Sequence, residues 1–417
     1  WQSEYVDTNV PDDAREKVSY GITVLGPDWE ETARMVTQLE GFLPTLPRPV
    51  SVEEHPRLFI TQQEIDDLNE AARSNPALKL LITNEIITPA RMTALAINTS
   101  GVTLPGKNEN SAHASLAGKA RAAALGYAFT GDLSYAEAAK KILMAYAAKY
   151  KEYPLLNNYD GRVTYQTLNE SPWLIDIAWT YDLIWNSGLL SEEDREVIEN
   201  DLLWESVRVI DRYKKGLSNW QAWHNAGIGA VAFLLNDQEW IDTILTGSQS
   251  FVVHIRDGIR DDGIWWEQAI GYHNYTRSAL TFLAEMAYRH GYDLYNFRSR
   301  GKSLKLMFDG PIYHAFSDGM HPVVGNTSFT SRLSWDWTYG LAALHYRDPK
   351  YAALWKASMS SGGSIPSVFY MQALQELDPE ILSHGTGRFA PAGFELAGSS
   401  HFADTGMVVL RGGGLDA

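Results

Sequence analysis

The 417-residue sequence contains no cysteine, so it has no disulfide and no cysteine ligand for a zinc site. No apolar run is long enough to cross a membrane as a helix, and we therefore expect no membrane partner. Its 35 basic and 51 acidic residues leave a net charge of −16, which argues against nucleic acid as a partner. The N-terminus has neither an initiator Met nor a signal-peptide pattern. We therefore predict a secreted or periplasmic protein whose export signal has been removed.

Motifs of the common cofactor and metal sites are absent as well. No GxGxxG or P-loop pattern opens a helix after a strand, and HExxH does not occur. The 11 histidines have no paired spacing of the kind that metal ligands have. The sequence therefore predicts no cofactor and no metal.

Hydrophobic residues make up 45% of the chain, enough for a substantial core, which excludes a disordered protein. Aromatic residues make up 12%, including 14 Trp and 21 Tyr. Aromatic rings stack on the faces of sugars, so this composition suits a carbohydrate cleft. It suits the core of a large helical protein equally well, and composition alone does not separate the two.

A turn recurs along the chain, each time between segments with helical character. The turn residues are Asn75, Asp132, Asn186, Asp237, Asp293 and Asp348. The intervals between them are 57, 54, 51, 56 and 55 residues. A period near 54 residues fits two helices and two connections, or one helical hairpin per repeat. We therefore predict an all-α fold, an incomplete α/α toroid of about six hairpins with a deep groove on one face.

Two regions fall outside this array. Residues 1–54 are rich in proline towards their end, and we expect them to form an extended segment that wraps the toroid. Residues 55–380 form the predicted toroid and catalytic domain. Residues 381–417 are rich in Gly, Ser and Thr and contain one strand-like segment, MVVLR. We expect this segment to begin a β-sandwich domain or to close the ring as a single strand.

Two short stretches combine aromatic and polar residues. The first, DGIWWEQAIGYHNY at residues 262–275, leads into a predicted helix. The second, SNWQAWHNAGIGAVAFLLND at residues 218–237, has polar residues at the start of a helix that continues with small apolar ones. Asn219 and Tyr272 lie 53 residues apart, which is one repeat. Since equivalent positions of successive hairpins are neighbours in a toroid, we expect both side chains in one cleft.

An amide beside a tyrosine in an aromatic groove suits β-elimination from a uronic acid. The C5 proton becomes acidic when hydrogen bonds from Asn219 or His224 neutralise the adjacent carboxylate. Tyr272 would take that proton as a tyrosinate and return one to the leaving oxygen. Because a tyrosine phenol titrates near pH 10, the site must stabilise the anion, for example through His224 or Arg277. Tyr275, one helical turn later, is the rival base.

Purely structural roles are the alternative for some of these residues. Asn219 and Ser218 suit the N-cap of their helix, and His224 suits a hydrogen-bonded core position. Glu267 is expected to hold its neighbours in place rather than to act as a catalytic acid.

Further substrate contacts are predicted for aromatic residues that can stack on sugars and for polar residues near the cleft. They are Trp220, Trp223, Trp265, Trp266, Glu267, Gln268, Tyr275, Arg277, Gln166, Asn169, Glu170 and His321. Some of the four tryptophans must belong to the core. Gln268 and Arg277 are expected to bind a substrate carboxylate. His321 is expected on a rim loop, where loop capping would explain it equally well.

Two other functions remain open at this point. Glycosidic bonds are also cleaved by hydrolysis with two carboxylates, for which Glu170, Glu267 and Asp261 or Asp262 are the candidates. The second alternative is a ring that binds glycans through the aromatic groove without cleaving them.

Four motifs in this order resemble the heparinase II/III-type polysaccharide lyases, which are related to alginate lyases. They are HPRLFITQQEIDDL, IAWTYDLIWNSGLLSEEDREVI, SNWQAW and DGIWWEQAIGYHNY, and the likeness covers roughly residues 55–345. The resemblance implies an α/α toroid in which Asn219 neutralises the carboxylate and Tyr272 is the base, with the acid role open to the same residue. Where family members often have Asn-His, Trp220 follows Asn219 here, so His224 would replace that imidazole. Many members also have a β-sandwich that supplies a further cleft histidine.

The sequence as a whole predicts a polysaccharide lyase that acts on a uronate-containing polymer by β-elimination. Its partner would be an anionic polysaccharide such as alginate, glucuronan or a glycosaminoglycan-like chain. The acidic net charge favours a lightly sulfated or unsulfated polymer.

Overall fold

A computed structural model describes residues 20–25, 31–37, 43, 54–327, 332–333, 338–359, 368–369, 371–372 and 399–410. Its α-helices, in chain order, are α1 (Gln62–Ser74), α2 (Pro76–Ile82), α3 (Thr88–Ser100), α4 (Asn110–Thr130), α5 (Leu133–Lys149), α6 (Thr167–Ile184), α7 (Glu192–Val197), α8 (Trp204–Asp211), α9 (Asn219–Leu234), α10 (Gln238–Thr246), α11 (Phe251–Gly258), α12 (Ile270–Arg289), α13 (Leu304–His314), α14 (Tyr339–Tyr346) and α15 (Pro349–Met359). π-Helical turns at Thr83–Ile87 and Ile198–Leu203 join α2 to α3 and α7 to α8.

The strands of the described residues form three short antiparallel pairs. They are β1 (Tyr20–Leu25) with β2 (Glu31–Thr37), β3 (Arg298–Ser299) with β4 (Lys302–Ser303), and β5 (Ser400–Phe402) with β6 (Met407–Val409). The predicted strand in MVVLR corresponds to β6. Most of the predicted N-terminal wrap and of segment 381–417 lies outside the described residues, so these domain limits stay predictions. No helix of the described chain is both long and apolar enough to span a membrane.

The recurring turns separate helices, as predicted. Asn75, Asp132 and Asp237 are the N-cap residues of α2, α5 and α10, and their side chains accept hydrogen bonds from the first helical N–H groups. The other turn residues, Asn186, Asp293 and Asp348, follow α6, follow α12 and precede α15. The predicted array of helical hairpins is therefore confirmed.

Helices α4, α6, α9 and α12 form consecutive inner positions of the array. Neighbours meet along their length: the side chains of Arg121 in α4 and Asp176 in α6 form an ion pair, and the ring of Trp223 in α9 lies 4.9 Å from that of Tyr275 in α12. An outer segment returns the chain between each inner helix and the next, for example α5 between α4 and α6. The inner helices therefore run in parallel and begin at the same face.

Helix α9 packs between α6 and α12, and nearly all of its residues are buried. A Cβ atom added to Gly227 would lie 3.0 Å from the backbone Cα of Ser171 in α6. A Cβ atom on Gly229 would lie 2.8 Å from the end of the Leu283 side chain in α12. The two glycines thus let α9 approach both neighbours closely, which an apolar sequence with larger residues would prevent.

Residues 55–64, which we call the base segment, lie across the opposite, C-terminal ends of the inner helices. The buried Asp182 carboxylate, near the end of α6, accepts hydrogen bonds from His55 Nδ1 at 2.6 Å and from the N–H groups of Arg57 and Leu58 at 2.8 and 2.9 Å. The His55 ring also stacks on Trp185 at 4.0 Å. The HPRL motif at residues 55–58 therefore binds the aspartate of the YD pair, Asp182, in the second motif.

The base segment continues to the ends of α9 and α12. The Arg57 guanidinium donates to the Leu234 carbonyl at the end of α9, where a positive charge complements the helix dipole. The Glu64 carboxylate accepts two hydrogen bonds, at 2.9 and 2.7 Å, from Arg289 in the last turn of α12. Because these contacts link residues far apart in the chain, the base segment ties the C-terminal ends of α6, α9 and α12 together.

We predict that Asp182→Ala lowers the free energy of unfolding by about 3–5 kcal/mol, because His55 and two backbone N–H groups lose their buried acceptor. Chemical denaturation of both proteins measures the change. The matched control is Asp66→Ala on the exposed face of α1, which should change stability by no more than about 0.5 kcal/mol. Equal losses in the two variants would contradict the anchoring role.

Gly227→Ala is expected to destabilise the protein by about 1–2 kcal/mol, because its new methyl group meets the backbone of α6. Gly229→Ala is the matched comparison, because its new methyl group meets only the flexible ends of side chains. Both substitutions gain the same helix propensity of about 1 kcal/mol. In thermal and denaturant unfolding, the Gly229→Ala variant should be more stable than the Gly227→Ala variant. The reverse order would refute the proposed tight contact between α6 and α9.

Candidate active site

Five polar residues, which we call the rim positions, lie one repeat apart, four of them near the start of an inner helix and the fifth in the loop between α13 and α14. They are Asn110, Tyr165, Asn219, Tyr272 and Asn326, separated by 55, 54, 53 and 54 residues. The Asn110 side chain accepts a hydrogen bond from the Tyr165 N–H at 3.2 Å, and Asn326 Nδ2 donates to the Tyr272 hydroxyl at 2.9 Å. Two of the four neighbouring pairs of rim positions thus meet across the gap between hairpins.

Asn219 is the first residue of α9, and the Ser218 hydroxyl caps the helix by accepting from the Gln221 N–H. The amide of Asn219 is therefore free of the capping role and instead donates to Glu267 Oε2 at 3.3 Å. The same oxygen accepts from the Trp265 indole at 2.8 Å. Glu267 holds its neighbours, as expected, and fixes the direction in which the Asn219 amide points.

Tyr272 lies in the first turn of α12, half-buried, with its hydroxyl at the rim. Tyr275 lies one turn further in, and burial against Trp223 raises the pKa of its phenol to about 12. A raised pKa disfavours the anion that a base requires. This raised pKa argues against Tyr275 as the base, and the assignment of the base itself stays a prediction.

The start of α6 brings a second group of polar residues to the same face. Gln166 Nε2 donates to the Tyr165 hydroxyl at 3.0 Å and to Asn169 Oδ1 at 2.7 Å. Tyr165 is 48% exposed and lies close enough to Tyr275 to act on its ionisation. Gln166 and Asn169 are therefore near the rim, as predicted from their position at the start of an inner helix.

A row of rings, exposed at Tyr159 and half-buried at Tyr213 and Trp220, continues from this group towards α9. The Tyr213 ring centroid lies 6.0 Å from that of Tyr159 and 5.9 Å from that of Trp220. The Lys215 ammonium lies 5.4 Å from the Trp220 ring. Rings beside a cation can stack on a sugar and attract its carboxylate, so Trp220 keeps its predicted role. Trp266, which is 42% exposed, also remains a candidate.

Two of the predicted contacts with the polymer are wrong because the side chains are fully buried. Trp265 has no exposed surface, and its ring stacks on that of His254 at 5.9 Å. Arg277 donates to the Met307 carbonyl at 3.1 Å and lies 4.9 Å from the Tyr339 ring, so its charge is held away from the rim. Both are parts of the wall that supports the site. Arg277 is therefore also the wrong choice for stabilising the tyrosinate.

Glu170 is likewise buried, and its prediction as a site residue is corrected. Its carboxylate accepts hydrogen bonds from the Tyr150 hydroxyl at 2.7 Å and from the N–H groups of Arg162, Val163 and Thr164 at 2.9, 3.3 and 3.0 Å. The Thr164 hydroxyl donates to it as well, at 2.7 Å. Glu170 therefore anchors the loop before α6 and is not available as one of two hydrolytic carboxylates.

The other hydrolytic candidates are engaged in different ways. Asp262 accepts from the N–H and hydroxyl of Thr405, at 2.9 and 2.8 Å, and so holds the turn between β5 and β6. Asp261 is exposed and pairs with Lys302 at 3.4 Å. Of these candidate carboxylates, Glu267 is the one bonded to Asn219. The carboxylate arrangement therefore gives no specific support to hydrolysis.

His224 is buried in α9, with 1% of its surface exposed, and neither ring nitrogen has a hydrogen-bond partner among the described residues. Burial, with a smaller contribution from Lys214, lowers the pKa of His224 to about 3. The imidazole is therefore neutral and cannot supply a positive charge to a carboxylate or a tyrosinate. This corrects its predicted catalytic assistance, and it also lacks the hydrogen bonds expected of a core histidine.

Three further predicted residues shape the walls. Trp223 is almost fully buried and packs on Tyr275, so it is wall rather than sugar platform. His321 is buried and its Nε2 lies 3.1 Å from the Pro311 carbonyl, which matches the loop-capping alternative. Gln268 is half-buried and adopts a φ of +64°, uncommon for a residue other than glycine, in the turn that leads into α12.

The electrostatics of the rim differ from the charge of the whole chain. Helices α4, α6, α9 and α12 all begin here, and each helix N-terminus carries a partial positive charge of about half a unit. At the opposite end, the base segment contacts the C-terminal ends of α6, α9 and α12. The open face therefore favours an anion despite the net charge of −16.

Asn326 and Tyr165 are rim residues whose importance the sequence interpretation missed. Neither residue was singled out from the sequence. Both lie one repeat from a residue that was identified, 54 residues from Tyr272 and from Asn219 respectively. The spacing that paired Asn219 with Tyr272 would have found them if extended along the chain.

The family model described as alginate lyase matches residues 58–312 of the chain. A curated alginate lyase of Stenotrophomonas maltophilia is 33% identical over 133 residues, which are 30% of this chain and 17% of that protein. An exo-oligoalginate lyase of Saccharophagus degradans is 28% identical over 240 residues, 52% of this chain and 31% of that protein. The chain thus spans less than a third of the length of these relatives.

Among solved structures, an alginate lyase from Bacteroides ovatus superposes with a TM-score of 0.56 and 14% identity. The match covers 77% of this chain and 99% of that one. At this identity the likeness shows the fold, and it confirms the predicted α/α toroid. The resemblance to toroid lyases is also confirmed, with alginate lyases as the matching group.

His224 should make the folded protein less stable as the pH falls. In the unfolded chain the His224 imidazole takes up a proton near pH 6.5, whereas in the folded chain it does so only near pH 3. The contribution of neutral His224 to the free energy of unfolding is therefore fully present above pH 6.5 and is lost as the pH falls below that value. Between pH 7 and 5 the wild type should lose about 2 kcal/mol more than His224→Leu. Denaturant unfolding at both pH values tests this. Parallel pH dependences would show that His224 is not a buried neutral imidazole.

Proposed function

The chain belongs to the alginate lyase family, and from this membership we propose that it is a polysaccharide lyase that cleaves alginate or a related polyuronate by β-elimination. The observation that carries the mechanism is the position of Asn219 and Tyr272 in the fold. The amide and the phenol lie at the starts of adjacent parallel helices, α9 and α12, at the open face of the toroid. Glu267 orients the first and Asn326 contacts the second.

In this mechanism the Asn219 amide donates a hydrogen bond to the C6 carboxylate of the bound uronate. Glu267 engages the amide nitrogen, which still has a second N–H for the substrate. Neutralising the carboxylate lets negative charge from C5 spread into it, which is the electrostatic stabilisation that the transition state needs.

Tyr272 then transfers the protons. As a phenolate it removes the proton from C5, and the electron pair of the C–H bond forms the C4–C5 double bond while the C4–O bond breaks. The phenol returns a proton to the departing oxygen, so no water is consumed and no oxidant is needed. The products are a new reducing end and an unsaturated uronate.

The polymer would lie across the rim, where the helix N-termini and Lys215 attract its carboxylates. Trp220, Tyr213 and Tyr159 would form the walls against which neighbouring sugars stack. Alginate is the first choice of substrate because the related proteins are named as an alginate lyase and an exo-oligoalginate lyase. We further propose that the protein acts outside the cytoplasm, where such polymers occur.

A panel of polymannuronate, polyguluronate, glucuronan and heparan sulfate tests the reaction class. The ultraviolet absorbance of the unsaturated product and the number of new reducing ends are followed together. We expect both signals to rise in parallel with an alginate block. Reducing ends without the absorbance would indicate hydrolysis, and binding without new ends would leave a glycan-binding role.

Tyr272→Phe is expected to lower kcat by about 100-fold or more, because the variant retains the ring but can neither accept nor donate the proton. Tyr275→Phe is the matched comparison and should retain most of the activity, since the phenol of Tyr275 is buried against Trp223. Initial rates from the absorbance assay measure both. Full activity in Tyr272→Phe with loss in Tyr275→Phe would transfer the role to Tyr275.

A further inference from the structure

The loop of residues 321–327 lies against the segment that leads into α12. Its first residue, His321, is buried and lies 3.1 Å from the Pro311 carbonyl at the end of α13. Further along, Gly325 adopts a φ of +62°, and a Cβ atom there would lie 3.2 Å from the backbone atoms Glu267 O and Ala269 N. The loop is thus held at two points, and only a residue without a side chain fits the second.

These two contacts place the next residue, Asn326, beside the reacting phenol. Its Nδ2 donates to the Tyr272 hydroxyl at 2.9 Å, although the two residues are 54 positions apart in the chain. The Asn326 side chain is exposed, whereas Tyr272 is half-buried, so the amide reaches the phenol from the solvent side of the rim.

An amide N–H can only donate, so the phenol oxygen is the acceptor in this contact. A hydrogen bond donated to an oxygen is stronger when that oxygen is charged, by about a factor of two. The contact therefore stabilises the phenolate more than the phenol. His224 and Arg277, the cations first expected to do this, are neutral and remote respectively.

We propose that Asn326 is a positioning residue that holds the Tyr272 oxygen towards the substrate and stabilises its anion, so that Tyr272 can act as a base. This inference rests on the proposed β-elimination. It adds a residue from a separate hairpin to the site and gives the loop of residues 321–327 a role in the reaction. The rim positions Asn219, Tyr272 and Asn326 then act in sequence, one per repeat: one binds the carboxylate, one moves the proton and one stabilises the proton acceptor.

The test compares Asn326→Ala, Asn326→Asp and Asn326→Gln with the wild type. Asn326→Ala should lower kcat about tenfold and move the rising limb of kcat against pH about one unit upwards. Asn326→Asp should lower kcat further and move the rising limb to a still higher pH, because the negative charge of its carboxylate repels the phenolate. Asn326→Gln keeps the amide donor, so its kcat and the pH of its rising limb should lie between those of Asn326→Ala and the wild type. Val323→Ala, an exposed change in the same loop, should match the wild type.

The ionisation of Tyr272 is also followed without turnover, by alkaline ultraviolet titration of each protein with and without Tyr272→Phe. The difference between paired curves gives the midpoint for Tyr272, which should rise in Asn326→Ala. An unchanged midpoint and an unchanged rising limb would overturn the inference, and so would a change in KM or melting temperature alone. If the wild type forms no unsaturated product but the midpoint shifts, the β-elimination proposal is wrong and the hydrogen bond to the anion stands.

Discussion

Helix α9 can lie between α6 and α12 only because small residues face both neighbours. Gly227 meets the backbone of Ser171 on one side, and Gly229 meets Leu283 on the other. This close packing holds three parallel helices so that all begin at the same face. A polar residue at the start of one helix is then near its equivalent one repeat away. The active-site proposal depends on that alignment, because Asn219 and Tyr272 belong to different hairpins.

The contacts at the C-terminal ends of the inner helices differ from those at the N-terminal ends. At the C-terminal ends, the base segment brings Arg57 to the last carbonyl of α9 and Glu64 to Arg289 of α12, and Asp182 of α6 binds its first residues. These groups pair with the helix ends and tie the three helices together. At the N-terminal ends the helix dipoles remain directed at an open face, where polar and aromatic residues lie. One architecture thus provides a base held by long-range contacts and an anion-attracting rim, even in a chain with a large negative charge.

Most of the fold could be predicted because its signals are local and repeated. Breakers such as Asp132 and Asp237 cap helices through hydrogen bonds within a few residues, and they recur at the repeat length. The position of Asn219 and Tyr272 near the starts of adjacent inner helices followed from the same period. Less could be predicted for single side chains. Trp265 and Arg277 lie within a few residues of Tyr272, yet both are buried, because the turn at Gln268 and the packing of α13 decide which way each points.

By itself, the sequence determined the helical repeat, the spacing of the polar residues along it and the negative charge of the chain. These properties depend on neighbouring residues and on composition, and they do not need the folded state. Only the tertiary structure decided that Glu170 is an internal anchor, that His224 is neutral, and that Asn326 rather than a cation contacts the phenol. Burial and hydrogen bonding between hairpins set these outcomes, because the ionisation and reach of a side chain depend on groups that approach it only when the hairpins pack together.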